Sequence, residues 1–290
     1  MGLLRHLFSS ERWSSLPTPP RLEELKKEAT PILAVDCFDG ARFEFNKSFS
    51  PKFALNHNIT MGSTAVPSGY EFGANFGDEN VLLASRIDMA GRLNGRINAQ
   101  VSDALTLRMQ AQVSPEADAG ASSCKLDADY RGSSFTAGGS YMAGGLLSGT
   151  FLQSVSQSLA LGAEGFYHVH KHVNGGAAAA RCVWGHNGEH VATAKAGTFG
   201  NVELCYQRKV SEKVGLATEL QYYHNQFCTF GVGYEFRLRN STFRGLIASD
   251  TSCSAVLEER VSPGINLTLS GNLNHKKKEH KFGIGLQCGQ

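Results

Sequence analysis

Between Gly91 and Val113 apolar and polar residues alternate almost without interruption. Leu93, Gly95, Ile97, Ala99 and Val101 share one parity, and Arg92, Asn94, Arg96, Asn98 and Gln100 share the other. After Ser102-Asp103 the pattern resumes, with Leu105, Leu107, Met109, Ala111 and Val113 set against Thr106, Arg108, Gln110 and Gln112. A strand points successive side chains to opposite faces, so each run has one apolar wall and one polar wall. Two such runs joined by a short break predict a β-hairpin. Asn94-Gly95 resembles a turn signal, but the alternation continues through it. Strands of about 10 residues also suit a tilted crossing of a bilayer.

The same pattern fills the chain from about residue 42 to 288. Strands are expected at 43–45, 53–61, 70–76, 81–88 and 124–131, then near 133–141, 145–153, 158–168, 176–184, 189–196 and 199–208. Further ones follow near 213–222, 226–238, 241–249, 253–260, 264–274 and 280–288. With the hairpin this makes an all-β meander of about 19 strands at a spacing of roughly 13 residues, uninterrupted by any linker. Residues 1–40 differ. Leu3, Leu4, Leu7 and Phe8 with Arg5 and Arg12 suit a short amphipathic turn or a frayed terminus. After Pro17-Thr18-Pro19-Pro20, the run RLEELKKEA predicts a helix over about 19–29. Thr18 is placed to cap it, with Pro19 in its first turn. Glu23 stands four residues before Lys27, the favourable helical order, and Thr30-Pro31 ends it. Its apolar face, mainly Leu22, Leu25 and Ala29, is thin, so it needs a surface to rest on, expected to be polar. The expected division is thus an N-terminal segment, 1–40, and a barrel, 41–290.

Alternation alone does not separate a soluble barrel from one in a membrane; size does. A barrel of 16 or more strands leaves a lumen that holds water, so its inner wall must be polar. The polar parity carries Glu44, Glu71, Arg86, Asp88, Arg92, Arg96, Arg108, Asp127, Asp129, Glu164, Glu203, Glu219 and Lys281, while the apolar parity is almost free of charge. A transmembrane barrel is the expected reading; a soluble β sandwich could show the same pattern, but an uninterrupted meander of 19 strands would be odd for one. The composition agrees: the 290 residues include 32 Gly and only 8 Pro. Mean hydropathy is −0.21 and no apolar run approaches a spanning helix, a profile compatible with membrane strands. The net charge of +2 is too small to argue for nucleic acid. Seven scattered cysteines, none in a CxxC pair, read as reduced thiols. His168, His170 and His172 alternate before the turn signal Asn174-Gly175-Gly176 and read as hairpin-end histidines rather than a zinc site. Lys276-Lys277-Lys278 is a solvated hairpin tip that also suits anionic headgroups of membrane lipids. No phosphate-binding loop, nucleophile elbow or metalloprotease helix occurs, so no enzyme, metal or cofactor is expected. Two readings of the acids stand. Glu44, Glu71, Asp88, Asp127, Asp129, Glu164, Glu203 and Glu219 form a cation-attracting path, or they only keep the lumen wet and pair with neighbouring bases.

Many collinear stretches carry a resemblance. They include PRLEELKKEA at 20–29, FEFNKSFSPKFALNHNITMG at 43–62, YEFGANF at 70–76, GRLNGRINAQV at 91–101 and YRGSSFTAG at 130–138. FLQSVSQSLALGAEGFYH at 151–168, VSEKVGLATEL at 210–220 and LEERVSPGINLTLSGNLNHKKKEHKFGIGL at 257–286 extend it to the C-terminal end. On these the chain resembles the channel-forming subunit of the translocase of the outer mitochondrial membrane, in its plant and green-algal form, within the eukaryotic mitochondrial porin superfamily. The resemblance implies a 19-stranded barrel with an internal N-terminal helix. It implies passage of unfolded precursor proteins with basic presequences. It also implies partners: a central helical receptor, small single-helix subunits, and further copies of the barrel. Lys281, Gly283, Leu286 and Cys288 are similar to a mitochondrial β-signal for insertion, with Cys288 where a large aliphatic residue is usual. Lys26 replaces a histidine common in the family's helix. The alternative function is a metabolite and ion porin of the voltage-dependent anion channel type.

An odd meander has a geometric consequence. Strands 1 and 19 run the same way and must pair in parallel. The start of the first and the end of the last then lie at opposite mouths. If both termini face one compartment, as the resemblance implies, residues 1–40 cross the lumen.

Overall fold

A computed structural model describes residues 16–62, 67–115, 122–186, 188–224 and 226–289. The terminal amphipathic turn at residues 3–12 lies outside them. Nineteen strands form one sheet. In chain order they are β1 Gly40–Ser50, β2 Phe53–Met61, β3 Gly69–Gly77, β4 Val81–Asp88, β5 Leu93–Gln100, β6 Leu105–Val113 and β7 Ser123–Arg131. There follow β8 Phe135–Met142, β9 Leu146–Ser154, β10 Leu159–His168, β11 Val173–Trp184, β12 His190–Gly197 and β13 Asn201–Lys209. The set ends with β14 Val214–Tyr223, β15 Phe227–Arg237, β16 Ser241–Ala248, β17 Ser252–Ser262, β18 Ile265–Asn274 and β19 Glu279–Gly289. Each strand pairs antiparallel with its neighbours in sequence, and β1 closes on β19 in parallel, from Gly40 opposite Gly283 to Asn46 opposite Gly289. Closure leaves no free edge, which is what a sheet needs in lipid, where an unpaired backbone group has no water to turn to.

Parity decides the two faces. Leu93, Ile97, Leu107 and Met109 are exposed on the outer wall, and so are Phe282 and Ile284 of β19. Asn98 opposite Arg108, and Arg108 opposite Asp127, continue one inward row from strand to strand. The turn signals at Asn94-Gly95 and Asn174-Gly175-Gly176 both lie inside strands. The first follows the expectation. The second corrects it: the β10–β11 turn falls at residues 169–172. Glycine at 175 serves close packing rather than a turn: a Cβ there would press on the rings of Phe166 and Phe199, 2.5 and 2.7 Å away. The strand at 43–45 is likewise longer, reaching Gly40–Ser50.

The helix is the main local correction. Leu22–Glu24 forms a single 3₁₀ turn, and residues 25–29 continue in turns. A short helix, α1, covers Thr30–Leu33, across the very Thr30-Pro31 step expected to end helical structure. Pro31 has no N–H to give the Lys27 carbonyl, so the first stretch stops and a new one starts with proline in its first turn, where no donor is required. Thr18 caps nothing; its hydroxyl donates to the Ser133 carbonyl at 2.8 Å. Glu23 ignores Lys27 and reaches the wall. Tertiary contacts here outweigh the local propensities.

Candidate functional site: the strap across the lumen

Residues 17–38 form a strap through the barrel. Ser154 Oγ donates to the Pro17 carbonyl at 2.6 Å, and Thr136 Oγ1 to the Pro19 carbonyl at 2.8 Å. At the other end Ser270 Oγ donates to the Phe38 carbonyl at 2.9 Å, and Cys37 Sγ lies 3.4 Å from the Gly271 carbonyl. Ser154 is the last residue of β9, and odd-numbered strands all end at the mouth where β19 ends. Pro17 therefore lies at the mouth of Gly289, and Gly40 begins β1 at the opposite one. The strap crosses the lumen, as expected from the resemblance if both termini face one compartment.

Its apolar side chains meet two hollows in the wall. Leu22 and Leu25 pack with Leu152, Ala160 and Ala179. Ala29 and Ile32 pack with Cys205 and Ala217, flanked by Leu33. The expected polar resting surface is thus apolar under the strap itself. Gly215 and Gly233 make the room: a Cβ on either would stand 2.9 Å from Ile32 Cδ1 or 2.8 Å from the Ile32 carbonyl.

Charges fix the strap on either side of these hollows. Arg21 lies 3.3 Å from Asp129, which Arg108 also holds at 2.7 Å. Glu23 sits between Lys125 at 3.2 Å and Arg108 at 3.5 Å. Lys26 Nζ bridges Glu203 at 2.8 Å and Glu219 at 2.5 Å. Arg181 donates to the Leu25 carbonyl at 2.8 Å and grips both oxygens of Glu28 at 2.9 and 2.7 Å. Near the exit Arg42 pairs with Asp36 at 3.1 Å and lies over the Phe38 ring. Among the described residues no hydrogen bond or ion pair of the strap reaches β2–β5. Those strands border the part of the lumen that the described part of the strap leaves free.

The expected acids divide accordingly. Asp129, Glu203 and Glu219 hold the strap. Asp127 is buried, with Lys125 3.1 Å from Oδ1 in an ion contact that lacks hydrogen-bond geometry. Glu164 pairs with Lys195 at 2.7 Å. Asp88 is a turn residue: its carboxylate accepts from the Ala90 and Arg92 backbones and from the Arg92 guanidinium. Glu44 on β1 lines a cavity beside strap residues Ala34–Asp36 and Phe38, Glu71 lies on β3, which the strap's polar contacts do not reach, and no ion pair involves either among the described residues. Of the insertion set, Lys281 and Gly283 point inward, and Leu286 and Cys288 outward, opposite Phe43 and Phe45. Gly283 has a second use: a Cβ there would collide with the Phe38 carbonyl. The sequence reading missed Arg181, Glu28, Glu235, Arg244 and Glu258. The last three form a ladder, Arg244 holding Glu235 at 3.2 Å and Glu258 at 3.1 Å. Parity along β11 and β15–β17 was the signal that marks them as inward. The described residues bring no three metal-ligating side chains together.

The comparisons with known proteins agree with this geometry. The sequence model of the eukaryotic porin family matches residues 18–283. A probable mitochondrial import receptor subunit, TOM40-2, of Arabidopsis thaliana is 34% identical, over 95% of this chain and 92% of that protein. The TOM40 homolog 2 of Drosophila melanogaster is 32% identical, over 99% and 88%. The TOM40 subunit of Saccharomyces cerevisiae is 28% identical, over 98% and 81%. Among solved structures, a mutant form of the Rh. blastica porin superposes with a TM-score of 0.51 at 11% identity, covering 81% of this chain and 99% of that one, a likeness of fold alone. With its closed nineteen-stranded wall, its family match over nearly the whole length and its import-subunit relatives, the chain belongs to the eukaryotic porin family, in the group of TOM40-type mitochondrial import receptor subunits.

Proposed function

We infer that this chain is the protein-conducting channel of a mitochondrial import complex, spanning the outer membrane as a barrel and passing unfolded precursor proteins through its lumen. The observation that carries this is 34% identity to an import receptor subunit over 95% of the chain, in a barrel whose lumen is polar and only partly filled. Transport needs no covalent chemistry. Exposed ion pairs in a wet lumen are worth about 0.2–1 kcal/mol each, so contacts of this kind admit a chain and release it again. The strap narrows the lumen and leaves a passage along β2–β5, with Glu44 and Glu71 beside it. Acids along that passage lower the energy of basic presequences, and the paired acids order the strap when no presequence is present. The chain works as one subunit of its complex; the finer reading adds a central helical receptor, small single-helix subunits and further barrel copies as partners. It also treats 1–40 as a separate lumenal segment and 41–290 as the membrane domain. Lys281, Gly283, Leu286 and Cys288 serve insertion.

The test is complementation. Mitochondria depleted of their own import channel and supplied with this chain should regain import of a presequence-bearing precursor, and an arrested precursor should crosslink to probes placed at Glu71. A chain that inserts, conducts anions by preference and restores no import is a metabolite porin instead.

A further inference from the structure

The strap is itself basic and amphipathic where it meets the wall. Lys26 spans two carboxylates, Ala29 lies three residues on against Cys205 and Ala217, and Ile32 three further on enters the space left by Gly215 and Gly233. We propose that this wall patch is a binding site for a basic amphipathic segment of the transported chain, and that the strap occupies it as an internal stand-in which the passenger displaces. The proposal rests on the transport reading above and names the place where that reading's presequence binds.

Three features give the site its selectivity. First, Glu203 and Glu219 face one cation. Among the described residues Lys26 is the cation paired with both, while Lys195, the register partner of Glu203, is turned to Glu164. Two carboxylates converging on one point favour a lysine or arginine and disfavour an acid or a neutral residue. Second, the hollow beside them is filled by small Ala29 against Cys205 and Ala217 and by branched Ile32 in the room left by Gly215 and Gly233. It therefore takes a small residue three positions after the cation and a branched aliphatic one six positions after it. Third, Arg181 holds a main-chain carbonyl, that of Leu25, in addition to the Glu28 carboxylate. A carbonyl is present in any passenger, so Arg181 need not repel a basic one. The strap's other anchors, Arg21 on Asp129 and Phe38 on Ser270, lie outside this patch. The patch is therefore vacated by a local shift of residues 26–33 while both ends stay tied.

The full-length protein in planar bilayers tests this with a synthetic basic peptide carrying Lys-x-x-Ala-x-x-Ile spacing, read as the concentration that half-blocks the current. Lys26→Gln frees the two acids and should lower that concentration about tenfold. Glu203→Gln with Glu219→Gln should raise it about tenfold. Ala29→Cys, oxidised to join the native Cys205, should lose most of the block and recover it on reduction of the same channels, a control that does not depend on comparing separately folded variants. Equal block of wild type, Lys26→Gln and the oxidised Ala29→Cys channel overturns the shared site and leaves the transport reading standing. A channel that the peptide blocks in none of these forms overturns both.

Discussion

At the scale of single residues, the lumen is organised by what lacks a side chain as much as by what carries a charge. Gly215, Gly233 and Gly283 lie along the strap's route, and each would place a Cβ inside a strap atom's contact distance. Gly233→Ala puts its methyl 2.8 Å from the Ile32 carbonyl and 3.2 Å from Leu33. The barrel should still assemble, because the new group points into the lumen and not into the sheet. The strap should be loosened, and trypsin should cut after Arg21 or Lys26 several-fold faster than in wild type. A rate equal to wild type would mean that the strap has slack to absorb the clash. Charges act more weakly. Glu164 and Lys195 are both partly open to water, so Glu164→Gln should change conductance and ion selectivity little. A large selectivity shift from this one change would show that the pair lines the tightest part of the path.

At the scale of elements, each strand is defined by its two faces and the strap by its two partners. Ile97 and Asn98 are neighbours on β5, one exposed on the outer wall and one inward opposite Arg108. An arginine on the lipid face at mid-membrane costs about 2–4 kcal/mol, whereas the lumen hydrates it. Ile97→Arg should therefore impair assembly in membranes and Asn98→Arg should not, measured as the fraction that becomes protease-resistant barrel. β19 carries a double duty, pairing with β18 on one side and with β1 in parallel on the other. Leu286→Glu places a charge on the outer face of that closing seam, opposite Phe43 and Leu267. It should leave the chain unassembled. Normal assembly with slowed precursor transit would remove Leu286 from the insertion signal.

At the scale of the whole molecule, closure and filling are separate. β1 starts at Gly40, and among the described residues no strand pairs with any residue of 16–38. A chain lacking 1–38 should still close, and its single-channel conductance should rise because the lumen is emptied of the strap. Unchanged conductance would place the narrowest point elsewhere. Neutralising Glu71, Asp88, Asp127, Asp129, Glu164, Glu203 and Glu219 together should shift ion preference away from cations and weaken block by basic peptides. The block should also weaken with salt, since the screening length falls to about 3 Å at 1 M.

The sequence by itself determined the wall. Nineteen strands, their approximate limits, the inward and outward faces and the parallel seam all follow from a period of two and an odd count, while the crossing of the N-terminal segment came from the resemblance. Each side chain's face depends only on its own position along a strand, so local pattern suffices. Tertiary structure alone decided what the lumen wall is for. Asp129, Glu203 and Glu219 looked alike with Glu44 and Glu71 in the sequence. They differ because strap residues more than a hundred positions away pair with the first three and, among the described residues, with neither of the other two. The same distance hid Arg181 under Leu25 and Glu28, replaced a regular helix by a bent one seated on the wall, and gave Gly283 a reason beyond insertion. Partners so far apart in the chain are brought together only when the barrel closes around them, and no local pattern records which inward residues the strap will meet.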